Sequence, residues 1–312
     1  MSSQVVVVGA SNMDLTSYVP SLPKPGETLH GHCFKKGFGG KGANQCVMAA
    51  KLGASTAMVT KVGKDVFGKE TKDNYERYGI NTEHVLEDDA EFTGVAPIAV
   101  DDAGQNSIII VNGANDKLSE ADIGRVEDLI AHAKVVITQY EIRPETTLAA
   151  LRLANKHGVF SIFNLAPAKA EIASELFTLP DIFCVNETEA AMVTGVDVQT
   201  VQDAEAAARA LQDKHNAKCI IITLGPQGTY VLPKPGDGDP FHMPATKVTA
   251  VDTSGAGDAF IGALGYFLAT DPSLPLRTAV AKAGAIATVS VQQQGTQSSY
   301  PDASVLASLH TE

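Results

Sequence analysis

The chain has 312 residues, 24 basic against 36 acidic side chains, 44% hydrophobic residues and 19% charged ones. That is globular composition with length for a large core, and a net charge of −12 without a basic run speaks against a nucleic-acid partner, whose phosphates need clustered Lys and Arg. The longest strictly apolar stretch is Cys46–Ala50, or Ala259–Ala269 with glycine counted; both are far too short to cross a bilayer, so no membrane partner is expected.

Met1-Ser-Ser-Gln4 carries no basic side chain and runs straight into Val5–Val8, an apolar strand that stops at Gly9. The reading is of a chain without a signal peptide and of a cytoplasmic protein, with the nucleus left open. Leu15–Lys36 holds Pro20, Pro23 and Pro25 and has no helical period. Helices are expected over Asn44–Leu52 and Phe67–Tyr78, closed by Gly53 and Gly79, with the strand Ala57–Val62 between them. Phe92–Val100 and Asn106–Val111 read as two strands joined through Asp101-Asp-Ala-Gly104, a hairpin turn. A helix over Glu120–His132 follows, its charges (Glu120, Asp122, Glu127, Asp128) read as a solvated face. Then come the strand Lys134–Thr138, the helix Pro144–His157, the strands Val159–Asn164 and Ile182–Val185, the helix Ala204–His215 and the strand Cys219–Thr223. Helices ended by glycine and followed by buried strands are the repeating unit of α/β folds with a parallel sheet. Antiparallel strands inserted into such a scaffold suggest a flap over a ligand site. The four cysteines, with no Cys-x-x-Cys, read as buried reduced thiols and not as a zinc site or disulfide framework.

Three stretches carry chemistry. In Val251-Asp-Thr-Ser-Gly-Ala-Gly-Asp-Ala-Phe-Ile-Gly-Ala-Leu264 the apolar spacing puts a helix start near Asp258, with Gly255-Ala256-Gly257 as its entry turn. Free amides and the positive end of the helix dipole then face whatever binds there. An anion cradle beside a carboxylate base suits phosphoryl transfer to a hydroxyl; a plain capping turn is the structural alternative. Gly37-Phe-Gly39-Gly40-Lys41-Gly42-Ala43-Asn44 formally matches Gly-x-Gly-x-x-Gly. It lacks the buried strand that a dinucleotide fingerprint needs before it, and there is no Walker loop. It remains a glycine-rich helix entry suited to a polyhydroxy ligand or phosphate, or a connector with no ligand. Asn12-Met13-Asp14 follows the first strand, where α/β sheets bind ligands; Asp14 there could accept sugar hydroxyls or make an Asx-turn.

The two glycine stretches, in this order and about 215 residues apart, resemble the paired motifs of the ribokinase-type, or PfkB, carbohydrate kinases. The likeness runs through Gly9-Ala-Ser-Asn-Met-Asp14, Pro25-Gly-Glu-Thr28, Thr93-Gly-Val95, Asn112-Gly-Ala-Asn115, Asn186-Glu-Thr-Glu189, Thr223-Leu-Gly225, Asp252–Asp258 and Gly295-Thr-Gln-Ser-Ser-Tyr-Pro301. It implies one three-layer αβα domain over residues 1–312 with a central, mostly parallel sheet. A small β-strand lid would come from about 15–37 and 92–113, and the chain would be a homodimer joined through the lid strands.

The resemblance also implies the activity: ATP-dependent phosphoryl transfer to the 5-hydroxyl of D-ribose. Asp258 would be the catalytic base and Gly255, Ala256 and Gly257 the anion hole. Asn12, Met13, Asp14, Gly39, Gly40, Lys41, Gly42, Asn44 and Glu141 would surround the sugar, with Ala96 and Ile98 on its apolar edge. Asn186, Thr223, Leu224, Gly225, Pro226, Gln227, Gly228 and Gly257 would line the nucleotide site. Glu189 would act through water on Mg²⁺, and Asp252, Ser254, Ser290, Gln293, Gly295 and Ser299 would hold K⁺. Pro97 departs from a strand pattern, since proline inside a sheet is confined to edges and bulges; Gly284 departs near the expected adenine. Competing readings are another sugar or nucleoside kinase and a non-catalytic sugar-binding regulator. His30-Gly-His32 and the sequon Asn186-Glu-Thr188 take plainer readings, as non-metal histidines and as part of the kinase motif.

Overall fold

The computed structural model describes residues 3–169 and 172–309; Met1 and Ser2, where the chain was read as starting without a signal peptide, lie outside them. Four valines form β1 (Val5–Val8), since β-branched side chains suit a strand buried on both faces. The chain then leaves as β2 (Asn12–Val19) and returns antiparallel as β3 (Cys33–Gly39), with Asn12 opposite Gly39. Next come α1 (Lys41–Lys51), β4 (Thr56–Gly63), α2 (Val66–Arg77) and β5 (Val85–Asp88). The hairpin strands are β6 (Gly94–Asp101) and β7 (Asn106–Ile108). A regular alternation follows: α3 (Glu120–Arg125), α4 (Glu127–Ala131), β8 (Val135–Gln139), α5 (Pro144–Lys156), β9 (Phe160–Asn164), α6 (Glu175–Thr178) and β10 (Ile182–Asn186). The chain ends with α7 (Glu187–Thr194), α8 (Val201–His215), β11 (Cys219–Thr223), β12 (Thr229–Leu232), β13 (Phe241–Met243), α9 (Ala256–Thr270) and α10 (Leu276–Ser290).

Nine strands form one sheet in the order β13-β12-β11-β10-β9-β8-β1-β4-β5. From β11 to β5 every pairing is parallel; β12 and β13 add an antiparallel edge. Successive strand residues point to opposite faces, and β1 divides accordingly. Val5 and Val7 pack with α1, α9 and α10, while Val6 and Val8 pack with α3, α4 and α5. This is the expected three-layer α/β architecture. The parallel strands β8 to β11 end in Gln139, Asn164, Asn186 and Thr223, a row of polar residues at their carboxyl ends. No described helix is long and apolar enough to cross a membrane.

The second sheet has the order β3-β2-β6-β7. The Asp101–Gly104 turn forms as expected, with Asp101 Oδ1 accepting from the amides of Ala103 and Gln105 and Gly104 at φ +79°. Pro97 lies on β6, an interior strand with unbroken register on both sides, contrary to the edge or bulge expected. The Ile109 amide donates to the Pro97 carbonyl, but Pro97 has no N–H to return that bond, and β7 stops at Ile108. The helix expected over Glu120–His132 is two helices meeting at Val126, whose backbone (φ −105°, ψ 17°) leaves helical geometry after Gly124-Arg125. Asp122 is not on a solvated face. It is buried, closes a capping box with Ser119, and pairs with Lys61 and Arg125 at 2.9 Å each. Of the cysteines, Cys46, Cys184 and Cys219 are buried and Cys33 is exposed; all four thiols are free.

Candidate active site

The glycine-rich entry to α1 is built by close approach. Gly40 caps the helix at φ +88°, and a Cβ there would meet the Ala10 carbonyl at 2.7 Å; one on Gly42 would meet Gly9 backbone at 2.8 Å. Only residues without a Cβ let the start of α1 press on the turn between β1 and β2. Glu141, just beyond β8, accepts the Lys41 amide at 2.7 Å and supplies the carboxylate that the helix start lacks. Gly39 makes room beside Asp14, since a Cβ would fall 2.3 Å from both carboxylate oxygens.

The second glycine turn opens α9. The helix starts at Ala256, two residues earlier than the apolar spacing predicts, with Gly255 as its cap at φ +73°. Asp258 is therefore a first-turn residue, and it is buried. Ala256 donates its amide to the Thr253 carbonyl, while among the described residues the amides of Gly255, Gly257 and Asp258 have no acceptor. A Cβ on Gly255 would collide with Thr296 and the Tyr300 hydroxyl, and that hydroxyl donates to the Gly255 carbonyl at 3.0 Å. The C-terminal segment thus clamps the turn.

Two cavities meet at Asp258. The larger, about 660 Å³, is lined by Gly40, Lys41, Asn44 and Glu141 from the main body and by Asn12, Asp14, Ala96 and Ile98 from the second sheet. The smaller, about 180 Å³, is lined by Asn186, Glu189, Thr223, Gly255, Ala256 and Gly257. Lys41, Gly255 and Asp258 face both. Three of the residues expected around the sugar do not line the larger cavity. Met13 points to the opposite side of β2 from Asn12 and Asp14 and is fully buried, and Gly39 and Gly42 act only by the space they leave. On the nucleotide side, Leu224 is buried in the core, Gly225–Gln227 form a short 3₁₀ turn beyond the small cavity, and Gly228 (φ +100°) packs on the Met243 carbonyl. The sequence reading missed Asn164, Cys184, Thr253 and Ile261 in the smaller cavity and Asn74, Arg77 and Gln297 in the larger.

The charges here are crowded. Burial, then the charges of Glu141 and Asp258, push the Asp14 carboxyl up to about 7. Burial also raises Glu141, against the pull of Lys41. For Lys41 burial works downward, but Asp258, Glu141 and Glu189 together outweigh it and hold the ammonium charged. Glu189 is pushed up to about 7, mainly by burial. Asn12 is turned by Asn115, whose Nδ2 donates to Asn12 Oδ1 at 2.8 Å, so that Asn12 keeps its own Nδ2 donor for the cavity.

Glu189 and Asn186 form a reciprocal capping box at the start of α7, each accepting the other's amide at 2.8 Å. Glu189 Oε1 has no hydrogen bond among the described residues, so a hard oxygen remains for a divalent cation at the smaller cavity. Asp252 accepts the amides of Ser254 and Gly295 at 2.9 Å, which ties the loop before α9 to the late segment. Ser290 and Ser299, both buried, donate to the carbonyls of Ala287 and Thr296 and keep their oxygen lone pairs. One carboxylate among hydroxyl and carbonyl oxygens suits a monovalent cation. Among the described residues no group of three or more His, Cys, Asp or Glu is arranged to hold a metal ion by itself, and His32 pairs with Asp102 at 3.3 Å.

Comparison with known proteins agrees with this geometry. The chain is 46% identical over 300 residues to a ribokinase of Mus musculus, with 96% of this chain and 92% of the relative covered. It is 42% identical to a deoxyribokinase of Salmonella typhi, with 95% of each covered. Its fold matches a solved structure of Arabidopsis thaliana ribokinase in complex with ribose and ATP at a TM-score of 0.89 and 30% identity, with 99% of both chains covered. The model of the pfkB family carbohydrate kinases matches residues 2–303, and the chain belongs to that family.

Proposed function

We propose that the protein transfers the γ-phosphoryl group of ATP to the 5-hydroxyl of D-ribose, giving D-ribose 5-phosphate and ADP. One observation carries this reading: Asp258 stands where a sugar-sized polar cavity and a second cavity at a helix N-terminus meet. A hydroxyl held in the first is there within reach of both a base and a phosphoryl donor in the second. Asp258 takes the hydroxyl proton as the oxygen forms its bond to the γ-phosphorus, and the bond to the bridging oxygen of ADP breaks. The free amides of Gly255 and Gly257 and the Lys41 ammonium stabilise the charge on the group in flight. Asp14, Asn12 and Glu141 hold the other sugar hydroxyls. The second sheet acts as a lid that keeps water out; its exposed apolar residues Phe34, Ile109 and Val111 support pairing with a second copy.

Glu189 would act through water on Mg²⁺, which would supply positive charge to offset that of the phosphates, while Asn186 lines the nucleotide side. Asp252, Ser254, Ser290, Gln293, Gly295 and Ser299 would hold K⁺, which would stiffen the turn that Asp252 and Tyr300 already brace. The similarity to a deoxyribokinase favours a second reading, with 2-deoxyribose as acceptor. ADP release assayed with ribose, 2-deoxyribose, fructose, adenosine and pyridoxal decides. Ribose should give the highest kcat/KM; a higher value with 2-deoxyribose establishes the second reading, and turnover of none of the five contradicts both.

A further inference from the structure

Next to Asn44, α1 buries a second amide. Gln45 has no exposed surface, and an amide in such a place must find partners for its two donors and its acceptor or cost stability. Its Nε2 donates to Asp258 Oδ1 at 2.9 Å and lies 3.2 Å from Asn164 Oδ1. Its Oε1 accepts from Gln139 Nε2 at 2.7 Å, which fixes which end of Gln45 faces the carboxylate. Gln139 is equally buried, and its own Oε1 has no partner among the described residues. A Cβ on Gly9 would sit 1.9 Å from that oxygen, so glycine at position 9 leaves Gln139 its slot. Leaving one buried oxygen unsatisfied is a cost, and what it secures is the direction of Gln45.

The other oxygen of Asp258 is served the same way. Asn44 Nδ2 donates to Asp258 Oδ2 at 2.9 Å, Gln297 Nε2 donates to Asn44 Oδ1 at 3.0 Å, and Asn74 Nδ2 donates to Gln297 Oε1 at 3.0 Å. Two files of amides thus converge on one carboxylate, each donor oriented by the one behind it. They reach it from three elements, α1, α2 and β8, and a C-terminal loop that are far apart in sequence.

We propose that Gln45 is a positioning residue of the phosphoryl transfer: with Gln139 behind it, it locks the rotation of the Asp258 carboxylate and keeps a lone pair aimed at the sugar hydroxyl. Amides do this without competing for the proton. The inference rests on the assignment of Asp258 as base. Gln45 lines neither cavity, so it acts on the base and not on the bound ligands. Misplacing a catalytic group by about 1 Å costs up to about a hundredfold in rate.

The test is a kinetic double-mutant cycle in the full-length chain with its best sugar acceptor. Gln45→Met keeps volume and removes the donors; kcat should fall roughly ten- to a hundredfold, with KM for sugar and ATP within about threefold. On the Asp258→Asn background the same change should cost nothing further, because residues that act as a unit are not additive. Gln139→Met, one step behind, should give the same pattern with a smaller loss and serves if Gln45→Met folds poorly. A folded Gln45→Met enzyme with kcat within twofold of wild type overturns the proposal. So does an equal loss on the Asp258→Asn background, or a KM change as large as the change in kcat; either outcome would mark Gln45 as packing alone. A wild-type chain that phosphorylates no sugar overturns the functional reading and this inference together, whereas an active wild type with an indifferent Gln45 overturns only the inference.

Discussion

The two ends of the sugar cavity treat a carboxylate in opposite ways. At one end Asp258 has an amide donor on each oxygen before any ligand arrives. At the other Asp14 has no hydrogen bond among the described residues, faces Glu141 and Asp258, and is pushed up to about 7. A base must be charged and aimed before its substrate comes, so the protein itself supplies the donors. A recognition carboxylate can wait, because the sugar hydroxyls are its donors. The difference predicts that Asp258 governs turnover and Asp14 governs affinity.

The largest effect expected is at the base. Asp258→Asn keeps the shape of the side chain but cannot take the proton, and kcat for ADP release should fall by ~10²–10⁴-fold. The Asp14 end comes next. Asp14→Ala leaves sugar hydroxyls unpaired behind a closed lid, a cost of ~1–3 kcal/mol, so KM for ribose should rise roughly five- to a hundredfold while ATP binding measured alone stays put. If both ligands weaken together, Asp14 supports the fold and not the sugar.

The same contrast has a pH signature. A carboxyl raised from 3.8 to about 7 stays protonated in the folded protein where the unfolded chain has lost its proton. Its contribution to stability is complete below about pH 3.8 and is lost as pH rises through about 7. Glu189 acts in the same direction. Melting temperature without ligand should therefore decline from about pH 4 to pH 7, and Asp14→Asn should flatten part of that decline; an unchanged slope in the variant would remove Asp14 as its source. Smaller still is the effect of the cation. Turnover should rise several-fold on adding K⁺, less with Na⁺, and Asp252→Ala should blunt the response with ribose binding intact. Indifference to K⁺ in buffer free of other large monovalent cations contradicts that assignment.

The sequence made the two glycine turns plain because their signal is local: Gly40, Gly42 and Gly255 stand where a Cβ would collide with neighbouring backbone or side chains. Strands such as Val5–Val8 and Cys219–Thr223 were legible for a similar reason, being runs of β-branched residues buried on both faces. The amides around Asp258 were not. Gln139, Asn164 and Gln297 are single neutral residues 94 to 253 positions from their partners on α1, and no spacing or charge pattern announces them. Asp122 misled for the opposite reason. The acidic residues around it in sequence, Glu120 and Asp128, are exposed, while its partner Lys61 comes from the distant strand β4. β2 was hidden because Asn12 and Asp14 turn polar groups toward a ligand cavity where a strand usually shows an apolar face.

The most direct test of the division between the two carboxylates is calorimetric titration of ribose, without nucleotide, into Asp258→Asn and Asp14→Asn. The predicted result is a dissociation constant within about threefold of wild type for the first and at least about tenfold weaker for the second, which corresponds to ~1.4 kcal/mol. Equal weakening in the two variants, or the larger loss at Asp258, would contradict the account.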